Sequence, residues 1–480
     1  EMEKDGKITP AERETALAFD IRAHLVQRSD TAYARSPYLL YAIIDAAAEA
    51  LAEDDLRAQG IDPDRRDDPD VRPLWEELLE KRERDVLTKG YHITTTIDKT
   101  LFDAFEAIAR DDNNFWTNPP AYTAANGKRV DHPVQQVGAV LIDNRTGAIL
   151  AFIGGRDFKK SKINFAFEPR SPGSAAKPVL AYAPALEEGV LLSPDVFVDD
   201  APIVLADGGK EFAPANYDRR FHGLVPARQA LAQSYNIPAI KLSLAVGLPK
   251  VIDYGRRMGL QHLVPGDEHS STAAIGGLAH GTSVAELTQA YSVFPNGGRL
   301  IPSYMIERIA DGQGRTIYQH ERREIPVLSE ETAYLMNDML TSVMTSGTGA
   351  SIRQAMERAH GRRALAGKTG TSDNYEDIWF VGYTPTLTLG VWTGFEVKGM
   401  KLGGYPPKNA RTLWPILMNK VLEIKPELSP KDAAFPKAKE IVQMSACVVS
   451  GKLPTDACRE GGWVKTIAFN KKYLPTVPDD

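Results

Sequence analysis

Arg170-Ser171-Pro172-Gly173-Ser174-Ala175-Ala176-Lys177-Pro178, followed by the apolar run Val179-Leu180-Ala181-Tyr182-Ala183, sets a hydroxyl and an amine three residues apart. Three residues is close to one helical turn, so a helix opening at Ser174 carries Lys177 on the same face, within reach of the serine oxygen. Gly173 lets the backbone turn into that helix, and Pro178 lies so near the start that its missing N–H costs at most one early bond. Free N–H groups at a helix start favour negative charge there, which suits a nucleophile. On its own the pair is weak evidence, because both residues are common and a surface helix start with a solvated lysine is the ordinary reading.

Both flanks carry strand signals. Upstream, Gln136–Ile142, the turn Asp143-Asn144-Arg145-Thr146-Gly147 and Ala148–Gly155 read as a hairpin. Far downstream, Ile378–Tyr383, Thr384-Pro385-Thr386 and Leu387–Phe395 read as a second. Their near-continuous apolar character predicts strands covered on both faces. Strands early and late with helices between predict an α+β domain, its mostly antiparallel sheet closed by distant segments. The intervening helical patterns include Val225–Leu231, Pro238–Val246, Val251–Met258 and Val284–Val293, the last with a Ser283/Glu286 capping box and an Asn296-Gly297-Gly298 stop.

The opening region predicts helices from Thr9 to about Gln27, Ser36 to about Arg57, Leu74 to Lys89 and Lys99 to Arg110, with a strand at His92–Ile97. Composition is that of a globular protein: 480 residues, 43% hydrophobic and 25% charged, with 57 basic against 63 acidic side chains and a net charge of −6. No basic block argues for nucleic acid, no internal repeat is visible, and no apolar run approaches the length of a membrane span. The chain begins with Glu and shows no signal peptide, so the expectation is an excised soluble piece whose membrane anchor lies elsewhere. Cys447 and Cys458 suit a local disulfide in an oxidising compartment or two buried thiols, with too few neighbours for a zinc site.

Two more stretches carry chemistry. Ser234-Tyr235-Asn236 puts a hydroxyl and an amide two apart in a short loop, the alternation of an extended backbone. Gly367-Lys368-Thr369-Gly370-Thr371 is a cationic, hydroxyl-bearing strand whose Gly370 admits close backbone approach. A phosphate-binding loop is excluded, because the upstream Gly361 is misplaced by one residue and a strand follows where a helix is required.

In this order, Ser174-x-x-Lys177, Ser234-x-Asn236 and Lys368-Thr369-Gly370-Thr371 resemble the motifs of the penicillin-interacting serine enzymes. The surroundings are similar to the transpeptidase domain of class A penicillin-binding proteins: Asn164, Arg170-Ser171-Pro172-Gly173, Pro214-Ala215-Asn216-Tyr217, Gly223, Asn236-Ile237-Pro238-Ala239, Ala290–Gly298, Gly347-Thr348 and Asp377–Gly382. The likeness runs from about His92 to Phe395. Ala175-Ala176 departs from a usually bulkier pair, and Tyr235 from a usually small residue, which changes the shape of the groove.

The resemblance implies a penicillin-binding transpeptidase fold. Residues 1–90 would link it to a missing glycosyltransferase module, 91–425 would form the transpeptidase domain and 426–480 a small extension. It implies a serine D,D-transpeptidase acting on peptidoglycan stem peptides through an acyl-enzyme on Ser174, releasing terminal D-alanine to an acceptor amine. Carboxypeptidase side activity and covalent inhibition by β-lactams go with it. Lys177 would be the base and Ser234 the proton relay. Asn236 would hold Lys177 and the substrate, Lys368, Thr369 and Thr371 would meet the terminal carboxylate, and the N–H groups of Ser174 and Thr371 would form the oxyanion hole beside Gly370. No cofactor or metal is implied. The setting would be the extracytoplasmic side of the cell membrane, in a cell-wall synthesis complex. A β-lactamase or a non-catalytic β-lactam sensor of the same fold is the alternative, although the Glu-x-x-Leu-Asn pattern of class A lactamases does not occur.

Overall fold

The computed structural model describes residues 2–20, 36–123, 127, 129–207, 210–400 and 406–479. Both expected hairpins form. Gln135–Asp143 pairs antiparallel with Ile149–Ile153, and Gly147 takes a positive φ of 81° in the connecting turn. Asp377–Tyr383 pairs with Leu387–Phe395.

Leu387–Phe395 then pairs with Gln135–Asp143 along its whole length, and Ala366–Thr371 adds to Asp377–Tyr383, giving one five-stranded antiparallel sheet. Ala366–Thr371 is an edge strand. Every residue of the three interior strands Gln135–Asp143, Asp377–Tyr383 and Leu387–Phe395 is buried, as continuous apolar strands require when both faces are covered. Gly390 abuts Thr288 and Val284 of the helix Val284–Ser292, whereas Gly382, on the opposite face, abuts Trp414 of the helix Ala410–Ile424. The glycines let the two helices approach the sheet closely.

The Ser283/Glu286 capping box forms, as does one at Thr9/Glu12. The first helix is Pro10–Ala18 and stops at an extended Phe19 with a ψ of 113°, short of its expected end, and residues 21–27 of the expected span lie outside the described residues. The expected strand at His92–Ile97 ends at Thr95 and pairs with Ile306–Ala310. Helices Pro37–Ala58 and Arg72–Thr88 share a small core of Ala52, Leu56, Val71 and Leu78. Tyr38, however, belongs to the main core and donates to the Ser161 carbonyl at 2.8 Å, so this helix is tied to the large domain. At the other end, Ile441–Cys447 pairs with Val464–Asn470, Cys447 and Cys458 are disulfide-bonded, and the Val448 carbonyl accepts from Phe197 N–H.

Two expectations need correcting. Val225 lies in the strand Gly223–Pro226, and the helix begins only at Ala227 because Pro226, with a ψ of 136°, is still extended and pairs with Phe197. The Ser174 segment is not one uniform helix. It winds as a 3₁₀ turn over Gly173–Ala176, a π turn over Pro178–Tyr182 and an α-helix over Ala183–Glu187. Proline 178 cannot donate, and tertiary anchors on either side hold the unusual pitch. Among the described residues no helix is long and apolar enough to cross a membrane.

Candidate active site

The tight winding decides where Lys177 points. In a 3₁₀ turn residues three apart eclipse each other, and the Lys177 N–H donates to the Ser174 carbonyl three residues back. Ser174 and Lys177 therefore stand in line at the head of the segment. Gly173 has a φ of +51°, and a β-carbon there would meet the Thr371 carbonyl oxygen at 2.3 Å. One at Gly370 would meet the Pro172 oxygen at 2.5 Å and the Ala175 β-carbon at 2.8 Å. The serine turn thus lies backbone to backbone against the edge strand Ala366–Thr371, and only glycine allows it.

Three further contacts hold the turn. Trp379 Nε1 donates to the Ser171 carbonyl at 2.8 Å and Tyr291 Oη to the Ala175 carbonyl at 2.7 Å. Arg170 lies over the rings of Phe165 and Trp392. Ser174 itself is partly exposed.

Lys177 is fully buried. Its Nζ donates to the Ser234 carbonyl at 2.6 Å, to Asn236 Oδ1 at 2.7 Å and to Ser234 Oγ at 3.2 Å. The expectation that it reaches back to the serine oxygen is not met in this state: the second motif takes up its hydrogen bonds, and among the described residues the Ser174 hydroxyl makes none. Lys368, equally buried, donates from Nζ to Ser234 Oγ at 2.8 Å and to the Thr369 carbonyl at 2.9 Å. Thr369 Oγ1 is 2.8 Å from Thr348 Oγ1, and Thr371 lies partly exposed at the strand end.

The second motif is not extended, as its spacing suggested. Ser234 has a φ of +61°, in a turn between the helices Ala227–Ala232 and Asn236–Val246. The left-handed turn, rather than strand alternation, aims both Ser234 Oγ and Asn236 Oδ1 at Lys177. Asn236 also donates from Nδ2 to the Ala215 carbonyl at 2.7 Å.

Burial above all, and then the neighbouring Lys368, hold the Lys177 ammonium well below the usual lysine value, while Asp200 opposes the shift. Burial, with Arg411 adding to it, pushes Lys368 down to about 7. Two lysines that shed protons readily, joined through one serine hydroxyl, can accept and pass on a proton.

Sequence reasoning missed Arg411, Asp200 and His222. Arg411 donates to the Thr348 carbonyl at 3.1 Å from a helix beyond the last motif, and Asp200 lies buried in a strand of its own. Neither has a local pattern to mark it. Asn216, by contrast, stands in the Pro214-Ala215-Asn216-Tyr217 stretch that carries the resemblance, and its Oδ1 accepts from Asn236 N–H at 2.7 Å.

Comparison with known proteins gives the class. The family model for the penicillin binding protein transpeptidase domain matches residues 137–395. The chain belongs to that family. It is 36% identical over 261 residues to penicillin-binding protein 4 of Bacillus subtilis (strain 168), covering 54% of this chain and 40% of that protein. It is 34% identical over 316 residues to penicillin-binding protein 1A of Neisseria lactamica, covering 63% and 38%. The chain therefore spans well under half the length of these curated relatives.

Among solved structures, penicillin-binding protein 1A of Haemophilus influenzae matches with a TM-score of 0.68 at 21% identity, covering 100% of this chain and 82% of that one. PonA1 of Mycobacterium tuberculosis, in complex with penicillin V, matches at 0.60 and 24%, covering 76% and 94%. Both share the α+β fold.

Proposed function

We propose that this chain is a serine D,D-transpeptidase that joins peptidoglycan stem peptides and is acylated by β-lactams. The observation that carries it is the meeting of Lys177, Lys368 and Asn236 around Ser234, with the Ser174 turn laid against the Lys368 strand.

Ser174 Oγ attacks the penultimate D-alanine carbonyl as its proton passes to Lys177. The carbonyl electrons move onto oxygen, facing the N–H groups of Ser174 and Thr371. The tetrahedral adduct then expels the terminal D-alanine amine, which leaves with a proton delivered through Ser234, and an ester remains on Ser174. An amine of a second stem attacks that ester, giving its proton back along the same route and freeing the serine. Water in place of the amine would make the carboxypeptidase side product. The donor peptide adds alongside the open edge of Ala366–Thr371, as extended peptides add to sheet edges, with Lys368, Thr369 and Thr371 near its carboxylate.

We also read residues 1–90 as the connection to a glycosyltransferase module, 91–425 as the catalytic domain and 426–480 as an extension. The Cys447–Cys458 disulfide supports an extracytoplasmic location, and an anchor to the cell membrane and a place in a cell-wall synthesis complex belong to the same proposal.

Ser174→Ala tests the reading: it should fold yet take up no fluorescent penicillin. Persistent labelling of that variant would refute the nucleophile assignment. A wild-type adduct that lasts hours, with turnover of a D-alanyl thioester, fits a transpeptidase, whereas loss within milliseconds would indicate a lactamase.

A further inference from the structure

We propose that Asp200 is the positioning residue of the Ser234–Asn236 turn and of Lys177, acting through Asn216 and His222; the proposal rests on the acyl-transfer reading above. Asp200 ends the strand Phe197–Asp200 and is completely buried. Asn216 Nδ2 donates to its two oxygens at 2.9 and 2.8 Å, and the His222 N–H donates at 2.9 Å while His222 Nδ1 lies 2.8 Å away. A buried carboxylate with this many donors is fixed in place.

Each partner carries the restraint into the turn. Asn216 Oδ1 accepts the Asn236 N–H at 2.7 Å, and Asn236 Oδ1 in turn accepts from Lys177. The His222 ring stacks on Tyr235, with centroids 4.1 Å apart and planes 10° from parallel. Ser234, just before these two residues, holds a left-handed backbone that a non-glycine residue adopts only when its surroundings impose it. Two arms from one carboxylate supply that imposition. The unusual Tyr235 thereby gains a role as the flat surface against which His222 rests.

The second effect is electrostatic. Lys177 faces Lys368 from the edge strand and Asp200 from its own side, and the buried Tyr182 shares its segment. Around Asp200 stand His222, Asp218 against His222 Nε2 at 3.2 Å, and Tyr235. The Asp200 charge favours the protonated lysine, so its removal should loosen the Lys177 proton further. An acylation step that needs the free amine would then persist to lower pH.

The experiment compares wild type, Asp200→Asn and His222→Gln by two measurements: acylation rate with a fluorescent penicillin across pH, and NMR titration of isotope-labelled lysine side chains, with Lys177 assigned through Lys177→Arg. Asp200→Asn should acylate roughly 10- to 100-fold more slowly, with the Lys177 titration and the acid limb of the rate profile moved to lower pH by about half a unit or more. His222→Gln keeps the Asp200 carboxylate and should slow acylation while moving that titration less than Asp200→Asn does. An unmoved Lys177 in Asp200→Asn, an equal movement in His222→Gln, or unchanged acylation in both overturns the proposal. Should Asp200→Asn fail to fold, Asp200→Glu must slow acylation while leaving the Lys177 titration in place, and a displaced titration there counts against it. A wild-type protein that takes no penicillin sinks the transpeptidase reading, whereas the NMR titration still judges Asp200.

Discussion

Lys177 and Lys368 share one hydroxyl: Ser234 Oγ lies 3.2 Å from the first Nζ and 2.8 Å from the second. Neither amine has a carboxylate in contact among the described residues, so the serine is the polar bridge between two buried lysines. This arrangement keeps both lysines ready to release protons, and it makes the hydroxyl the natural path between them.

Ser234→Ala should therefore cut acylation by penicillin roughly 100- to 1,000-fold while leaving the far-UV circular dichroism spectrum intact. Stopped-flow labelling measures it. A variant that acylates at the wild-type rate would show that protons leave by another route.

Stability should carry the signature of Lys368. Its folded value of about 7 lies below the ordinary 10.5, so between these limits the unfolded chain binds more protons than the folded one. The contribution of this group to stability rises with pH through that window, by up to about 1.4 kcal/mol per unit, and is lost as pH falls towards 7. The stability of Lys368→Met relative to wild type should accordingly fall as pH is raised, read from urea denaturation at a series of pH values. A pH-independent difference contradicts the assignment.

Gly370→Ala forces a methyl group against Pro172 and Ala175. Overpacking of this kind costs about 1–3 kcal/mol, and relief comes only by moving the serine turn off the strand. Acylation should fall further than thermal stability does. Thermal melts run beside labelling kinetics separate the two effects, and full activity in this variant would mean that the turn and strand can part harmlessly.

Reducing the Cys447–Cys458 bond removes a cross-link spanning 11 positions, worth about 3 kcal/mol in the chain-entropy view. The loss should be felt in the hairpin Ile441–Cys447/Val464–Asn470, seen as faster amide exchange there. Acylation per folded molecule should stay unchanged, since the main-chain hydrogen bonds of both cysteines stay within the extension, and a parallel fall in acylation would tie the extension to the proposed site.

What the sequence disclosed follows from range. Capping at Ser283/Glu286 and the two hairpins depend on neighbours in the chain, so they could be read directly. The pairing of Leu387–Phe395 with Gln135–Asp143 depends on segments some 250 positions apart, and only the need to cover apolar strands hinted at it. The motif residues were visible as types and spacings, but their local shapes were not. The 3₁₀ winding at Ser174 is imposed by Tyr291 and Trp379, and the left-handed Ser234 is held between two helices. Asp200 and Arg411 act on lysines from separate elements, which no local pattern can announce.

The glycine contact between the serine turn and the edge strand has one more consequence. Where two main chains touch directly, there is no side chain whose exchange could widen or narrow the gap. Under the proposed acyl transfer, adjustment to differently shaped donors would have to come from side chains away from this contact. The reacting centre is rigid by construction, and any adaptability of the molecule is confined to its rim.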